Sequence, residues 1–131
     1  MRLPLVFVLA LVALVGCESK DPTRSIAYDA EDLPCAQGDD AFWESGPLPG
    51  LDGEVAPGCE WVRFPGRTVV EIQHDLGRTP SDVVIYVAFS RTGASGTIAS
   101  GDAGRIVGAD DTRVVVENTT EQDFFVRVVL R

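Results

Sequence analysis

Apolar and polar residues alternate with a period of two through the C-terminal half of the chain. Residues 61–64, 67–74, 82–90, 112–117 and 123–130 each read as a strand, rich in β-branched and aromatic side chains. Residues 105–107 add a short strand. A weak one falls at 97–99, inside a stretch rich in Gly, Ala and Ser. Pro65-Gly66 stops the first run, and turn-formers at residues 108–111 and 118–122 separate adjacent runs at hairpin-like length. Loops this short favour antiparallel pairing, because a parallel crossover needs about a dozen residues. The expectation is an all-β domain over 61–131, a small antiparallel β-sandwich of six or seven strands.

The alternation also predicts which face is core. Val70, Ile72, Val83, Ile85, Val87, Phe89, Val114, Val116, Phe124, Val126, Val128 and Leu130 form one apolar set. The opposite parity carries Glu71, Gln73, Glu117, Arg127 and Arg131, a solvated face with charges available for cross-strand pairing. One strand departs from the pattern. Val84, Tyr86 and Ala88 make its outer face apolar too, and Val69, Val115, Phe125 and Val129 extend that patch. Such a patch is either covered or binds something. Residues 35–60 are expected to lie across it with Trp43 as a plug, which makes Tyr86, Phe125 and Trp43 the candidate binding face. The plainer alternative is an ordinary second-sheet contact.

Before residue 61 the period disappears. Residues 35–60 are dominated by turn-formers, with Gly46-Pro47-Leu48-Pro49-Gly50 at the centre. Asp39 or Asp40 is placed to cap a short helix over 41–44. Residues 17–34 are polar and acidic and hold two prolines; they read as a tether, with a helical turn or two within 25–33. As a coil, the 17 residues from 18 to 34 would reach about 23 Å.

Residues 3–15 are an apolar run behind Arg2, too short for a good membrane span, which needs about 20 residues. A positive start, a short apolar stretch and a small residue describe a secretory signal. The run ends in Leu14-Val15-Gly16-Cys17. That tetrad resembles the lipobox of bacterial lipoproteins. The resemblance implies removal of residues 1–16 and lipidation of Cys17 with a diacylglyceryl thioether and an N-acyl chain. Two or more chains are what stable anchoring requires. A cleaved signal with an incidental thiol is the alternative. The implied partner is the membrane, through the lipid on Cys17. The implied location is the cell envelope. In a Gram-negative cell the expectation is the outer membrane, although Glu18 does not decide it.

With Cys17 assigned to lipid, Cys35 and Cys59 remain. An exported protein meets an oxidising compartment, so an even remainder suggests one disulfide rather than two free thiols. No CxxC pair is present, which argues against redox catalysis and zinc. Charge is uneven: 11 acids and 2 bases lie between Glu18 and Glu60, against 9 acids and 8 bases from Trp61 onward. An acidic chain without basic patches argues against nucleic acid as a partner.

The most motif-like stretch is His74-Asp75-Leu76-Gly77-Arg78-Thr79-Pro80. A turn of this form before a Val-rich strand resembles small β-sandwich modules of phage tail proteins and, more distantly, H-type-lectin-like domains. The resemblance spans residues 69–89 and, in general pattern, 105–130. It implies glycan or protein binding. From the residues alone, Gly77 supplies a positive φ, Pro80 holds Thr79 extended, and His74 closes the strand end. His74 is the only histidine, and no G-x-S-x-G elbow accompanies it. Asp39-Asp40 and Asp110-Asp111 lack the ligand spacing of a calcium loop. No metal site, catalytic residue or cofactor is therefore expected. Asn118-Thr119-Thr120 matches a glycosylation sequon but reads as a hairpin loop. The expected function is non-enzymatic: a binding or display module, with glycan as one ligand class. A structural or assembly subunit docking an envelope protein is the alternative.

Overall fold

Strand formation follows the alternation closely wherever one side chain in two can enter a core. In a computed structural model, which describes residues 24–131, ten strands build two stacked sheets. The first sheet has the order β1-β5-β9-β8, from Arg24–Tyr28, Thr68–Gln73, Arg113–Asn118 and Arg105–Ala109. The second has the order β2-β3-β10-β6-β7, from Gln37–Gly38, Trp43–Glu44, Phe124–Leu130, Val83–Ala88 and Thr97–Ala99. Strand β4 (Val62–Phe64) pairs with the start of β10. The chain is a small β-sandwich. All seven strands expected over 61–131 are present, and three further strands precede them.

The core lies between the sheets and is made by the predicted parity. Val70, Ile72, Val114, Val116, Val126, Val128 and Leu130 are fully buried, with Ile85 and Val87 nearly so. Phe89 departs from expectation: β6 ends at Ala88, and Phe89 stays 73% exposed where the chain turns away. Glu117 and Arg127 also depart, because both are buried on outward parity. Each is covered by an opposite charge, Glu117 by its cross-strand neighbour Arg105 and Arg127 by Glu44.

Arg24–Tyr28, expected within the tether, is instead an edge strand. It runs parallel to β5, from Arg24 opposite Thr68 to Tyr28 opposite Ile72. Parallel pairing is possible because residues 29–67 supply a long crossover. Ile26 and Tyr28 face the core, and the Tyr28 hydroxyl donates to the Arg63 carbonyl in the other sheet at 2.7 Å. A 3₁₀ turn at Ala30–Asp32 is the helical element expected before Pro34. The expected helix over 41–44 is absent. Asp39 Oδ1 instead accepts the N–H groups of Ala41 and Phe42, making a turn that sends Trp43–Glu44 alongside β10.

The Cys35–Cys59 disulfide is formed, with Cα atoms 5.2 Å apart. It ties the segment carrying β2 and β3 to the approach to β4. Asn118, at the end of β9, is fully buried. Its Nδ2 donates to the carbonyls of Phe64, Pro65 and Gln122, and its Oδ1 accepts from Thr120. The side chain is the knot of the β9–β10 connection, which is not the hairpin expected: β9 and β10 belong to different sheets, and residues 119–123 carry the chain from one to the other.

Candidate functional site

The outer face of the second sheet carries Val84, Tyr86, Ala88, Phe125 and Val129 of the expected apolar patch; Val69 and Val115 belong to the first sheet and do not extend it. Tyr86 stands there between two cross-strand neighbours, Arg127 on β10 and Ile98 on β7. The Arg127 guanidinium carbon lies 4.9 Å from the Tyr86 ring centroid, a cation–π contact. That guanidinium is itself fixed. Its Nε donates to the Gly46 carbonyl at 2.6 Å and its Nη2 pairs with Glu44. Phe125 lies on the same face, two residues before Arg127, and is half-buried.

Segment 35–60 does lie across this face, but Trp43 is not the plug. Trp43 sits opposite Leu130, whose side chain points inward, so the indole enters the core beside His74 with ring centroids 6.0 Å apart. Trp61 does the covering. Its ring meets Tyr86 edge-on at 6.5 Å, and its Nε1–H donates to the Pro47 carbonyl at 2.9 Å, pinning residues 46–49 over the sheet. Gly93 makes the close approach possible. At φ +80°, any Cβ there would fall 2.3 Å from the Trp61 ring.

Two hollows remain on either side of Leu48 and Tyr86. One, of about 470 Å³, is bounded by Leu48, Pro49, Trp61, Tyr86, Ser95 and Ile98. The other, of about 450 Å³, is bounded by Phe42, Leu48, Tyr86, Arg127 and Arg131. Leu48 is 57% exposed and Ile98 63% exposed, and they share the rims with exposed Ser95, Thr97 and Arg131. Together the hollows form an open groove with a partly buried Tyr86 in its floor. Leu48, Trp61 and Ile98 escaped the sequence reading. Ile98 could have been found from its pairing parity; Leu48 lies in a stretch with no period.

A third hollow, of about 510 Å³, lies at the end of the sandwich where Leu33, Trp43, Gln73, His74 and Asp75 meet. Its histidine and amide side chains are engaged. His74 Nδ1 accepts the Leu76 N–H at 3.2 Å, which places the ring proton on Nε2, donating to the Asp110 carbonyl at 3.0 Å. Gln73 Oε1 accepts the Ala30 N–H at 2.9 Å, and Gln37 Nε2 donates to Glu44. His74 thus closes the strand end, as expected. Gly77 has φ +77° in the turn that follows, and Pro80 is half-buried at its end. Asp110 holds the neighbouring turn. Backbone N–H donation from Thr112 and then Arg113 keeps its carboxyl below the usual range. Burial raises the Tyr28 phenol, an effect only partly offset by the Arg63 charge.

Among the described residues, no group of three or more His, Cys, Asp or Glu side chains is placed to hold a metal ion. Cys17 and the segment before it lie outside the described residues. Compared with known proteins, the chain matches no family model, no curated sequence and no solved structure.

Proposed function

We propose that the chain is a lipid-anchored, non-enzymatic binding module of the cell envelope, and that the Tyr86 groove docks a protein partner. The anchoring half of this reading rests on Leu14-Val15-Gly16-Cys17 behind its apolar run. The docking half rests on one observation: the Tyr86 ring is enclosed, with Arg127 over one face and Trp61 edge-on to it. Sugar recognition by an aromatic ring uses an open ring face. Here the ring is hemmed in, and the exposed apolar side chains around it are Leu48 and Ile98, beside exposed Ser95, Thr97 and Arg131. Aliphatic side chains on the rims of a shallow groove suit the apolar side chains of a polypeptide. His74, with both ring nitrogens bonded to backbone groups, is better suited to holding a turn than to acid–base chemistry.

A photo-reactive residue at Leu48, in the lipidated chain in its own cells, is expected to give a discrete protein adduct. Ile98→Asp should abolish it, and the same probe at Asp111 should not produce it. Binding of the oxidised protein to peptidoglycan, lipopolysaccharide or a sugar from a glycan panel, lost on Tyr86→Ala, would replace the protein partner with a glycan.

A further inference from the structure

The sandwich has two ends, and the described chain enters at one of them. Arg24, at the start of β1, donates its N–H to the Arg67 carbonyl at 3.3 Å, and the Arg67 N–H donates to Thr120 at 2.9 Å. Beside them the Gly66 N–H donates to the Asp123 carboxylate at 2.9 Å. Phe64 and Phe124 pair at this end, and the Phe124 ring centroid is 5.2 Å from that of Phe89. Phe89 is the only aromatic residue among the exposed large hydrophobics of the described residues. Arg24 and Arg91 are exposed at the same end. Trp43, His74, Leu130 and the Asp110-Asp111 turn lie at the other.

Seven residue steps separate Cys17 from Arg24. As a coil such a segment reaches about 15 Å, and its fully extended limit is about 25 Å. Strand β10 has seven residues and is itself about 24 Å long. A lipid on Cys17 therefore keeps the Phe89 end at the membrane. The His74 end could touch the same surface only with the connecting segment near full extension.

We infer that the Phe89 end is a bilayer-docking face, an inference that rests on the lipid anchor proposed above. Phe89 enters the interfacial layer, where an exposed aromatic gains contact with acyl chains. Arg24 and Arg91 lie within reach of headgroup phosphates. The acidic groups nearby are partly engaged: Glu121 pairs with Arg67 at 3.7 Å, Asp123 accepts from the Gly66 N–H and Asp102 from the Thr119 hydroxyl, while Glu60 is exposed beside Trp61. The strands then stand away from the membrane, and the Tyr86 groove opens sideways.

The test uses the full lipidated protein in phosphatidylcholine vesicles, with and without bromine on the acyl chains. Phe89→Trp and Asp111→Trp are compared, since both sites are exposed and both variants keep the buried Trp43 and Trp61 as a common background. The expected result is a loss of added-tryptophan emission in brominated vesicles for Phe89→Trp alone. Protein that floats with the vesicles yet is quenched at neither site, or equally at both, overturns the docking face and leaves the anchor intact. Protein that does not float overturns the anchor, and the docking face with it.

Discussion

The guanidinium of Arg127 lies over the ring of Tyr86 from a strand position that alternation assigns to solvent. It is held there by Glu44 and the Gly46 carbonyl, both from the irregular segment that crosses the sheet. The contact therefore joins β10 to that segment and shapes the groove. Removing one member of a buried ion pair strands its partner and costs about 3–5 kcal/mol. Arg127→Met should show a loss of that order in urea unfolding. Arg127→Met combined with Glu44→Leu should recover most of it, because no unpaired charge remains. A double variant as unstable as the single one would mean the ion pair itself contributes net stability.

The disulfide acts on the same segment. A chain-entropy estimate for its sequence separation of 24 gives about 3.5 kcal/mol. Paired Cys35→Ser and Cys59→Ser substitutions should lower stability by roughly this amount. The local signature should be faster amide exchange over residues 37–48, with β5, β9 and β10 still protected. Equal loss of protection throughout would show that the bond supports the whole sandwich rather than this segment.

How far the fold could be read from sequence follows from how much of each element is decided locally. Strands β5, β6, β9 and β10 were legible because their apolar positions alternate over enough residues to set a period, whereas the short β4, β7 and β8 were read from β-branched and aromatic residues between turn-formers. Strand β1 offers only Ile26 and Tyr28 to the core; its other positions face solvent at a sheet edge and look like tether. Strands β2 and β3 have two residues each and exist because β10 extends past β4, leaving an edge to pair. The same reason explains the exchange of tryptophans at the candidate site. The face a two-residue strand presents depends on its register against β10, and that register puts Trp43 inward, so it is Trp61 that meets Tyr86. Parity showed that Glu117 and Arg127 leave the core face; it could not show that Arg105 and Glu44 would cover them.

His74 supplies a check on the turn that most resembles a functional motif. Its two ring bonds fix one neutral tautomer, with the proton on Nε2 and Nδ1 accepting from Leu76. Long-range ¹H–¹⁵N spectra should show that tautomer. His74→Phe should cost about 1–3 kcal/mol, because the Leu76 N–H and Asp110 carbonyl lose their partner. Binding at the Tyr86 groove should persist in the variant at temperatures where it is folded. Loss of binding without loss of fold would move the site to the His74 end.

Asp110 is expected to contribute to the acid limb of stability. Its carboxylate accepts from the N–H groups of Thr112 and Arg113 and from the Thr112 hydroxyl, at 2.8, 2.7 and 3.0 Å. These bonds favour the charged form and hold the folded-state pKa below the unfolded one. The sign follows from proton counting. Where the unfolded chain binds the proton more readily, stability rises with pH. Asp110 therefore contributes its full share above the usual aspartate range, and loses it as pH falls through its lowered folded value. Asp110→Asn keeps an Oδ1 acceptor in the turn but removes the titration. Its urea midpoint should fall less steeply than that of the parent protein as pH drops below about 4, the ordinary aspartate value being near 3.9. Parallel profiles for the two proteins would place the acid sensitivity in other carboxylates and leave Asp110 with a purely geometric role.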